Sequence, residues 1–547
     1  MKTDILAAAA AWSEQDPDDE TRAELGALIR DAEGGGGEAI AELEDRFAAR
    51  LEFGTAGLRG ALGAGPNRMN RVLVGQAAAG LAAFLRARED APSVVIGYDG
   101  RKNSRVFATD TAELMAGAGV RAILLPRLLP TPVLAFAVRH LGTSAGVMVT
   151  ASHNPATDNG YKVYLGGDDA GSQIVPPSDG EIAAQIERVA AGDIRELPRS
   201  AAYETAGEDV LDAYVAQTAA LASAVAPVTF VYTAMHGVGW ETARRVFTGA
   251  GFAEPVVVAE QLEPDPNFPT VAFPNPEEPG ALDLSFAKAR EVDADLVIAN
   301  DPDADRLAVG IPTADGWRRL SGNEVGILLG WQAATNATSG TLACSIVSSP
   351  ALAAIAEVNG LRHVETLTGF KWISRAPNLV FGFEEALGYL VDPQIIRDKD
   401  GISAAVDFLD LVSELKADGK TIADQLEDFA DVFGSFASSQ ISLRFTDLSD
   451  IPRVMNHLRA DSPTTIGGIP VTSVDDFEHG FGAFGPNDIL RIWLDDGSRI
   501  VVRPSGTEPK LKVYIDASST EGTATDRMSA AQATVDRLDA AMRELLA

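Results

Sequence analysis

Short apolar runs alternate with longer runs of helical period along most of this chain. SVVIGYD (93–99) predicts a strand, Arg105 to Ala118 a helix, RAILLP (121–126) a strand, TPVLAFAVRHL a helix with Pro132 near its start, and AGVMVT (145–150) a further strand. β-rich runs separated by amphipathic helices build βαβ units in a mostly parallel sheet. The pattern restarts near Val228, with VTFVYT as a strand, a glycine-containing loop, ETARRVFTGAG as a helix, then PVVVAE and DADLVIAND (293–301) as strands. It restarts again after about residue 320, where NEVGILLGWQAA and ALAAIAEVNG are helices and TLACSIVSSP and NLVFGFEEAL are strands. After about 435 the order changes: SSQISLRF, DILRIWLDD, SRIVVRPS and LKVYIDAS are β segments, with helices at 450–460 and 525–546. Three similar units and one different one are expected, without a strict sequence repeat.

Length agrees: 547 residues at about 150 per domain make three to four domains. The formal net charge is −33, which argues against nucleic acid or an anionic membrane as the main partner. The one cysteine, Cys344, excludes an intramolecular disulfide framework and a Cys-based zinc cluster, so a reducing, cytoplasmic setting is expected. Apolar runs are too interrupted for a membrane span. MKTDILAAAAAW fits an N-terminal helix better than a secretory signal, because only Lys2 precedes the apolar stretch and acids follow from Asp16 to Glu20. The glycines at 34–37 are expected to break a helix.

Four segments carry chemistry. TASHNPATDNGYKVYL (150–165) follows a buried strand, so it lies at the strand's C-terminal end, where open α/β sheets bind ligands. Ser152, flanked by His153 and Asn154, suits a nucleophile or a phosphoryl carrier; Lys162 suits a proton carrier or phosphate contact. An ordinary polar turn is the alternative. ANDPDADRLAV (299–309) places Asp301, Asp303 and Asp305 at alternate positions after an apolar strand. Three converging carboxylates repel unless a cation neutralises them, and oxygen ligands suit a hard ion such as Mg²⁺. An EF-hand is excluded, because the twelfth position is Pro312. A solvated acidic turn is the bland alternative. FGFEEALGY (381–389) carries Glu384 and Glu385 at a strand-to-loop transition, and IIRDKDG (395–401) places Arg397 and Lys399 in a polar loop. RPSGTEPKLKVY (503–514) gathers Arg503, Ser505, Gly506, Thr507, Lys510 and Lys512 around one acid, Glu508, as a phosphate monoester requires. An exposed basic loop is its alternative. FGTAGLRG (53–60) sets Arg59 between glycine-rich turns. No P-loop or nucleophile elbow is present, and the histidines lack metal-site spacing.

In this order, the segments resemble the α-D-phosphohexomutase superfamily, the four-domain phosphoglucomutases and phosphomannomutases. TASHNPATDNGYKVY, LTGFKWI, GFEEALGY and RPSGTEPKLKVY are most similar to the branch that includes phosphopentomutases. The resemblance implies three similar mixed α/β domains and a C-terminal α+β domain around a central cleft, expected at 1–205, 206–315, 316–432 and 433–547. It implies that Ser152 is phosphorylated in the active enzyme. Asp301, Asp303 and Asp305, with the Ser152 phosphate, would hold Mg²⁺. Arg59, His153, Lys162 and Arg306 would line the site, with Lys162 and Lys399 moving protons. Thr368 and Gly369 would distinguish two sugar orientations. Glu384 and Glu385 would contact sugar hydroxyls, and Arg503, Ser505, Gly506, Thr507 and Lys510 would grip the distal phosphate from a separate, mobile last domain. The implied reaction interconverts glucose 1-phosphate and glucose 6-phosphate, with a sugar 1,6-bisphosphate as activator. Ala386 departs from the serine many relatives carry there, which leaves mannose and pentose phosphates open. A non-catalytic phosphosugar-binding paralogue and a Mg²⁺-dependent phosphatase are the other readings. The sequence specifies no oligomeric state.

Overall fold

The computed structural model describes residues 2–55, 57–223, 225–445, 447, 449–505 and 510–546, with side chains from residue 4 onward. The chain folds as two compact units, Met1–Leu320 with Gly388–Ser413, and Ser321–Leu387 with Glu414–Ala547.

The first unit holds two sheets. The larger has the order Leu58–Ala61, Asp158–Leu165, Ala145–Val149, Ser93–Tyr98, Arg121–Leu124, Glu204–Thr205, with Ser172–Gln173 also paired to Asp158–Leu165. Val94, Val95, Ile96, Val147 and Val149 are fully buried in it. Each such side chain stabilises the fold by about 1.5–3 kcal/mol relative to exposure, which is why these β-branched runs are strands and not loops. Helix Arg71–Arg88 packs on the same core through Leu73, Val74, Leu81 and Phe84, and starts at Asn70, whose side chain accepts from the Leu73 N–H at 3.0 Å. Ser93–Tyr98 and Ala145–Val149 are parallel neighbours. Their following loops, 99–104 and 150–157, therefore emerge at one edge.

The second sheet has the order Gly316–Arg319, Leu307–Thr313, Leu296–Asn300, Phe230–Thr233, Val256–Val257. Leu296–Asn300 and Leu307–Thr313 are antiparallel, with Asn300 opposite Leu307, so residues 301–306 form the hairpin loop between them. The chain returns to this unit at Gly388, which bridges Arg306. The Gly401 N–H donates to the Ala304 carbonyl at 3.2 Å, and a Cβ at Gly401 would lie 2.1 Å from the Arg306 carbonyl oxygen. Only glycine lets the 398–401 segment approach the hairpin this closely.

The second unit holds a sheet in which Arg362–Thr366 and Leu379–Glu384 flank Thr341–Ser345 in parallel. Its other sheet is antiparallel, ordered Ser435–Arg444, Lys510–Ser519, Arg499–Pro504, Leu490–Leu494, Ile469–Asp476, Thr465–Ile466. The last sheet is not separate from its neighbour. Ile346 and Val347 share one core with Phe477, Ile489, Val501 and Tyr514.

Three local expectations change. PVVVAE keeps only Val256–Val257 as strand and then turns into the 3₁₀ segment Ala259–Gln261. Arg59 lies within the strand Leu58–Ala61, because its segment pairs with the 158–161 backbone. Ile469–Asp476 is a strand that no apolar run announced, since it alternates partly exposed residues. The N-terminal segment forms three helices, Lys2–Gln15, Asp19–Glu33 and Gly37–Phe47; the first break is at Asp16, Pro17 and Asp18, and the second is at the glycines. Among the described residues no helix is long and apolar enough to cross a membrane.

Candidate active site

Ser152 sits just beyond the Ala145–Val149 strand and is buried. Its φ of +53° is left-handed, a conformation that costs a non-glycine residue about 1–2 kcal/mol. Its N–H donates to Thr150 Oγ1 at 2.9 Å. Its hydroxyl donates to Asp301 Oδ2 at 3.0 Å and lies 3.2 Å from His153 Nδ1.

Asp301, Asp303 and Asp305 are fully buried in the 301–306 hairpin loop, and a carboxylate oxygen from each lies within 4.8 Å of the others. At the effective dielectric of a protein, such a pair of charges repels by about 3–4 kcal/mol. Nearby cations offset this. Lys162 Nζ, held by the strand Asp158–Leu165, lies 2.8 Å from both Asp303 Oδ2 and Asp305 Oδ2. Lys399 Nζ lies 2.8 Å from Asp305 Oδ2. Arg306 Nε lies 4.0 Å from Asp301 and Asp305, and the Arg306 N–H donates to Asp301 Oδ1 at 3.0 Å. Thr131 Oγ1, at the start of helix Thr131–His140, donates to Asp303 Oδ2 at 2.7 Å. Arg59 Nη1 donates to Asn154 Oδ1 at 3.3 Å.

The carboxyls are not equivalent. Burial, reinforced by Asp303 and Asp305, lifts Asp301 well above the usual carboxylate range. Burial also opposes ionisation of Asp303 and Asp305, but Lys162 at both, and Lys399 and Arg306 at Asp305, outweigh it and hold them below that range. Burial disfavours the charged lysines too, yet Asp303 and Asp305 beside Lys162, and Asp305 and Asp398 beside Lys399, win and hold both above the usual lysine range. Burial, with Arg306 and Arg59 beside it, pushes His153 well below its usual value, so it is neutral at pH 7.

The donor set fits a hard divalent cation. Asp303 Oδ1 and Asp305 Oδ1 are buried without a hydrogen-bond partner, while their Oδ2 atoms are taken by Lys162. Two orphaned, oxygen-only ligands beside a third carboxylate are the chemistry Mg²⁺ selects.

The second unit carries the remaining candidates. Glu384 Oε1 accepts the Gly369 N–H at 2.6 Å, tying the 368–369 turn, which holds Thr368, to the end of the Leu379–Glu384 strand. Gly369 has φ +113°, which suits glycine alone. Glu385 Oε2 accepts from Ser345 Oγ at 3.2 Å and Ser348 Oγ at 3.1 Å, so those serines, both absent from the sequence-based expectations, orient it. Arg503 lies in the strand Arg499–Pro504 opposite Lys512, and the Ser505 N–H donates to the carbonyl of buried Lys510 at 2.8 Å. Gly506 and Thr507 lie outside the described residues.

Sequence reasoning also missed Arg101. Its signal was the polar DGRKNS run directly after SVVIGY, at the same sheet edge as Ser152.

A serine hydroxyl hydrogen-bonded to a carboxyl cluster, among fixed cations at the C-terminal edge of parallel strands, defines an α/β phosphotransferase. Four models of phosphoglucomutase/phosphomannomutase domains match in order: α/β/α domain I at 50–193, domain II at 211–314, domain III at 321–433 and the C-terminal domain at 443–532. The chain belongs to the phosphoglucomutase/phosphomannomutase family, and is an isomerase of the intramolecular phosphotransferase type. A Haemophilus influenzae protein named probable phosphomannomutase is 56% identical over 84% of this chain and 96% of its own. The phosphopentomutase of Mus musculus is 36% identical over 88% of this chain and 86% of its own. A solved structure of a phosphoglucomutase/phosphomannomutase family protein from Burkholderia thailandensis has the same fold, with TM-score 0.69 and 22% identity over 90% of this chain and 98% of that one.

Proposed function

We propose that this enzyme interconverts glucose 1-phosphate and glucose 6-phosphate by way of a phosphoserine at Ser152 and a sugar 1,6-bisphosphate. The observation that carries the reading is the 3.0 Å contact of Ser152 Oγ with Asp301, inside a cluster closed by Lys162 and Lys399. Asp301, Asp303 and Asp305 would hold Mg²⁺, which neutralises charge on a transferring phosphoryl when bound.

The chain's own residues supply the rest. Ser152 carries the phosphoryl group and gives it to the free hydroxyl of the sugar phosphate. The proton of that hydroxyl passes, by way of Lys162 or Lys399, both held protonated at rest, to the departing Ser152 oxygen, so no net proton is gained or lost. Arg59, Arg306 and neutral His153 line the reacting phosphate. Glu384 and Glu385 contact sugar hydroxyls beside Thr368 and Gly369, while Arg503, Ser505, Gly506, Thr507 and Lys510 hold the distal phosphate. After the bisphosphate turns around, its other phosphoryl returns to Ser152, so the free bisphosphate serves as activator. A cytoplasmic setting fits the single cysteine, Cys344.

A second reading keeps this chemistry and changes the sugar to a pentose phosphate. Ala386 favours it, because a hydroxyl contact expected of hexose-specific relatives is missing, and the phosphopentomutase likeness points the same way. Rates on glucose, mannose and ribose phosphates, each with its own bisphosphate, decide between them: glucose fastest supports the first reading, ribose fastest replaces it. Ser152→Ala is expected to abolish turnover on every sugar with the melting transition retained. A fully active variant would refute the mechanism.

A further inference from the structure

Arg101 has no part in the reaction described above, yet it is bound at four points to the loop that carries Ser152. It is buried, with 5% of its surface exposed. Its Nη2 donates to the carbonyls of Ser152 and Asn154, both at 2.6 Å. Its Nη1 donates to those of Pro155 at 2.7 Å and Asp158 at 3.2 Å. One guanidinium thus gathers four backbone oxygens from residues 152–158. A planar fork of donors can do this; a single ammonium cannot.

The fork is itself fixed. Its Nε faces Asp99 Oδ2 at 3.5 Å, and Asp99 Oδ1 accepts the Arg101 N–H at 3.0 Å and Ser104 Oγ at 2.6 Å. The Phe268 ring covers the guanidinium, with its centroid 5.0 Å from Cζ. Asn159 Nδ2, just past the loop, donates to the Lys102 carbonyl at 2.8 Å and to Ser104 Oγ at 3.0 Å. The 99–104 segment is therefore a platform on which the nucleophile loop rests.

Ser152 needs such a platform. Its backbone is in the left-handed region, which a non-glycine residue holds only where its surroundings impose it. Relaxation would turn its hydroxyl away from Asp301. We infer that Arg101 is a positioning residue for phosphoryl transfer: by holding the carbonyls of Ser152, Asn154, Pro155 and Asp158 it keeps the serine in the one conformation that aims Oγ at the carboxyl cluster. The inference rests on the proposed role of Ser152.

The test compares Arg101→Ala, Arg101→Lys and the control Arg46→Ala. Arg46 is also a buried arginine, pairing with Glu24 and Glu42 among the N-terminal helices, far in sequence from the nucleophile. Steady-state kinetics, thermal melting and the intact mass of Ser152-phosphorylated protein are measured for each. Arg101→Ala is expected to lose about a hundredfold in kcat with KM unchanged, and millimolar guanidinium is expected to restore part of it. Arg101→Lys keeps the charge and the fold but recovers only a fraction of kcat. Arg46→Ala melts lower and keeps kcat, separating lost stability from lost positioning. Should Arg101→Ala not fold, Arg101→Lys carries the result. A phosphorylated, active wild type beside a full-rate Arg101→Lys overturns this inference alone. A wild type that never carries phosphate on Ser152 overturns both this inference and the proposed function.

Discussion

Lys162 illustrates how one side chain sets the state of its neighbours. Its Nζ lies between Asp303 and Asp305, with no other cation among the described residues equally close to both. Removing one partner of a buried ion pair leaves uncompensated charge and costs about 3–5 kcal/mol. Lys162→Ala is therefore expected to melt markedly lower than wild type, and added Mg²⁺ is expected to raise its melting temperature more than that of wild type, because the ion then replaces the ammonium charge lost beside the two carboxylates. Melting with and without Mg²⁺ checks this; equal shifts would mean that Lys162 does not set the charge felt by the ion. Ser152 allows a second residue-level comparison, free of activity. Glycine adopts positive φ without the Cβ penalty, so Ser152→Gly should be more stable than Ser152→Ala by about 1 kcal/mol. Chemical denaturation of these two variants measures the strain stored at residue 152.

At the scale of elements, Asp400 joins two helices and so places Lys399. It starts helix Gly401–Ala417, accepting the Ile402 N–H at 2.9 Å and the Ser403 N–H at 3.1 Å, and it accepts the Tyr214 hydroxyl of helix Asp209–Ala219 at 3.0 Å. Burial raises its pKa to about 6 despite these donors. Between its ordinary value and about 6 the folded protein binds a proton that the unfolded chain does not. This carboxyl therefore contributes stability fully below the ordinary range and loses it as pH rises through about 6, with a swing of about 3 kcal/mol. Asp400→Asn cannot ionise, so the wild type should lose stability relative to it from pH 4 to 7. Parallel pH profiles of unfolding free energy would exclude this. The helix itself was not anticipated, although the strands and polar loops that carry Ser152 and the three aspartates were legible as apolar runs ending in chemistry-bearing residues. Lys399 and Lys162 are 237 positions apart, and nothing local encodes that both reach Asp305; Gly401 and the Gly388 bridge, contacts of high sequence separation, decide it. Arg101 stayed hidden for a related reason, since its partners are carbonyls, which side-chain identity does not reveal.

For the whole molecule, the net charge of −33 coexists with local sites rich in Lys and Arg, so it argues against large polyanions and not against a small phosphorylated ligand. The second unit adds a further long-range feature. Arg499 is almost wholly buried: it pairs with Asp516 at 2.9 Å inside the antiparallel sheet and with Glu365 at 2.8 Å on the strand Arg362–Thr366, and it donates to the Ser348 carbonyl. It thereby links the two sheets of that unit. Beside it runs the apolar seam of Ile346, Val347, Phe477, Ile489, Val501 and Tyr514. Breaking the ionic link costs about 3–5 kcal/mol, whereas six buried apolar side chains contribute on the order of 10 kcal/mol. The seam outweighs the ion pair. Arg499→Met should accordingly lower the unfolding free energy while the two sheets still open together. Native-state hydrogen exchange of the amides in Thr341–Ser345 and Lys510–Ser519 tests this: equal acceleration in both strands is expected, and faster opening of Lys510–Ser519 alone would show that the buried arginine, not the apolar seam, makes the unit cooperative.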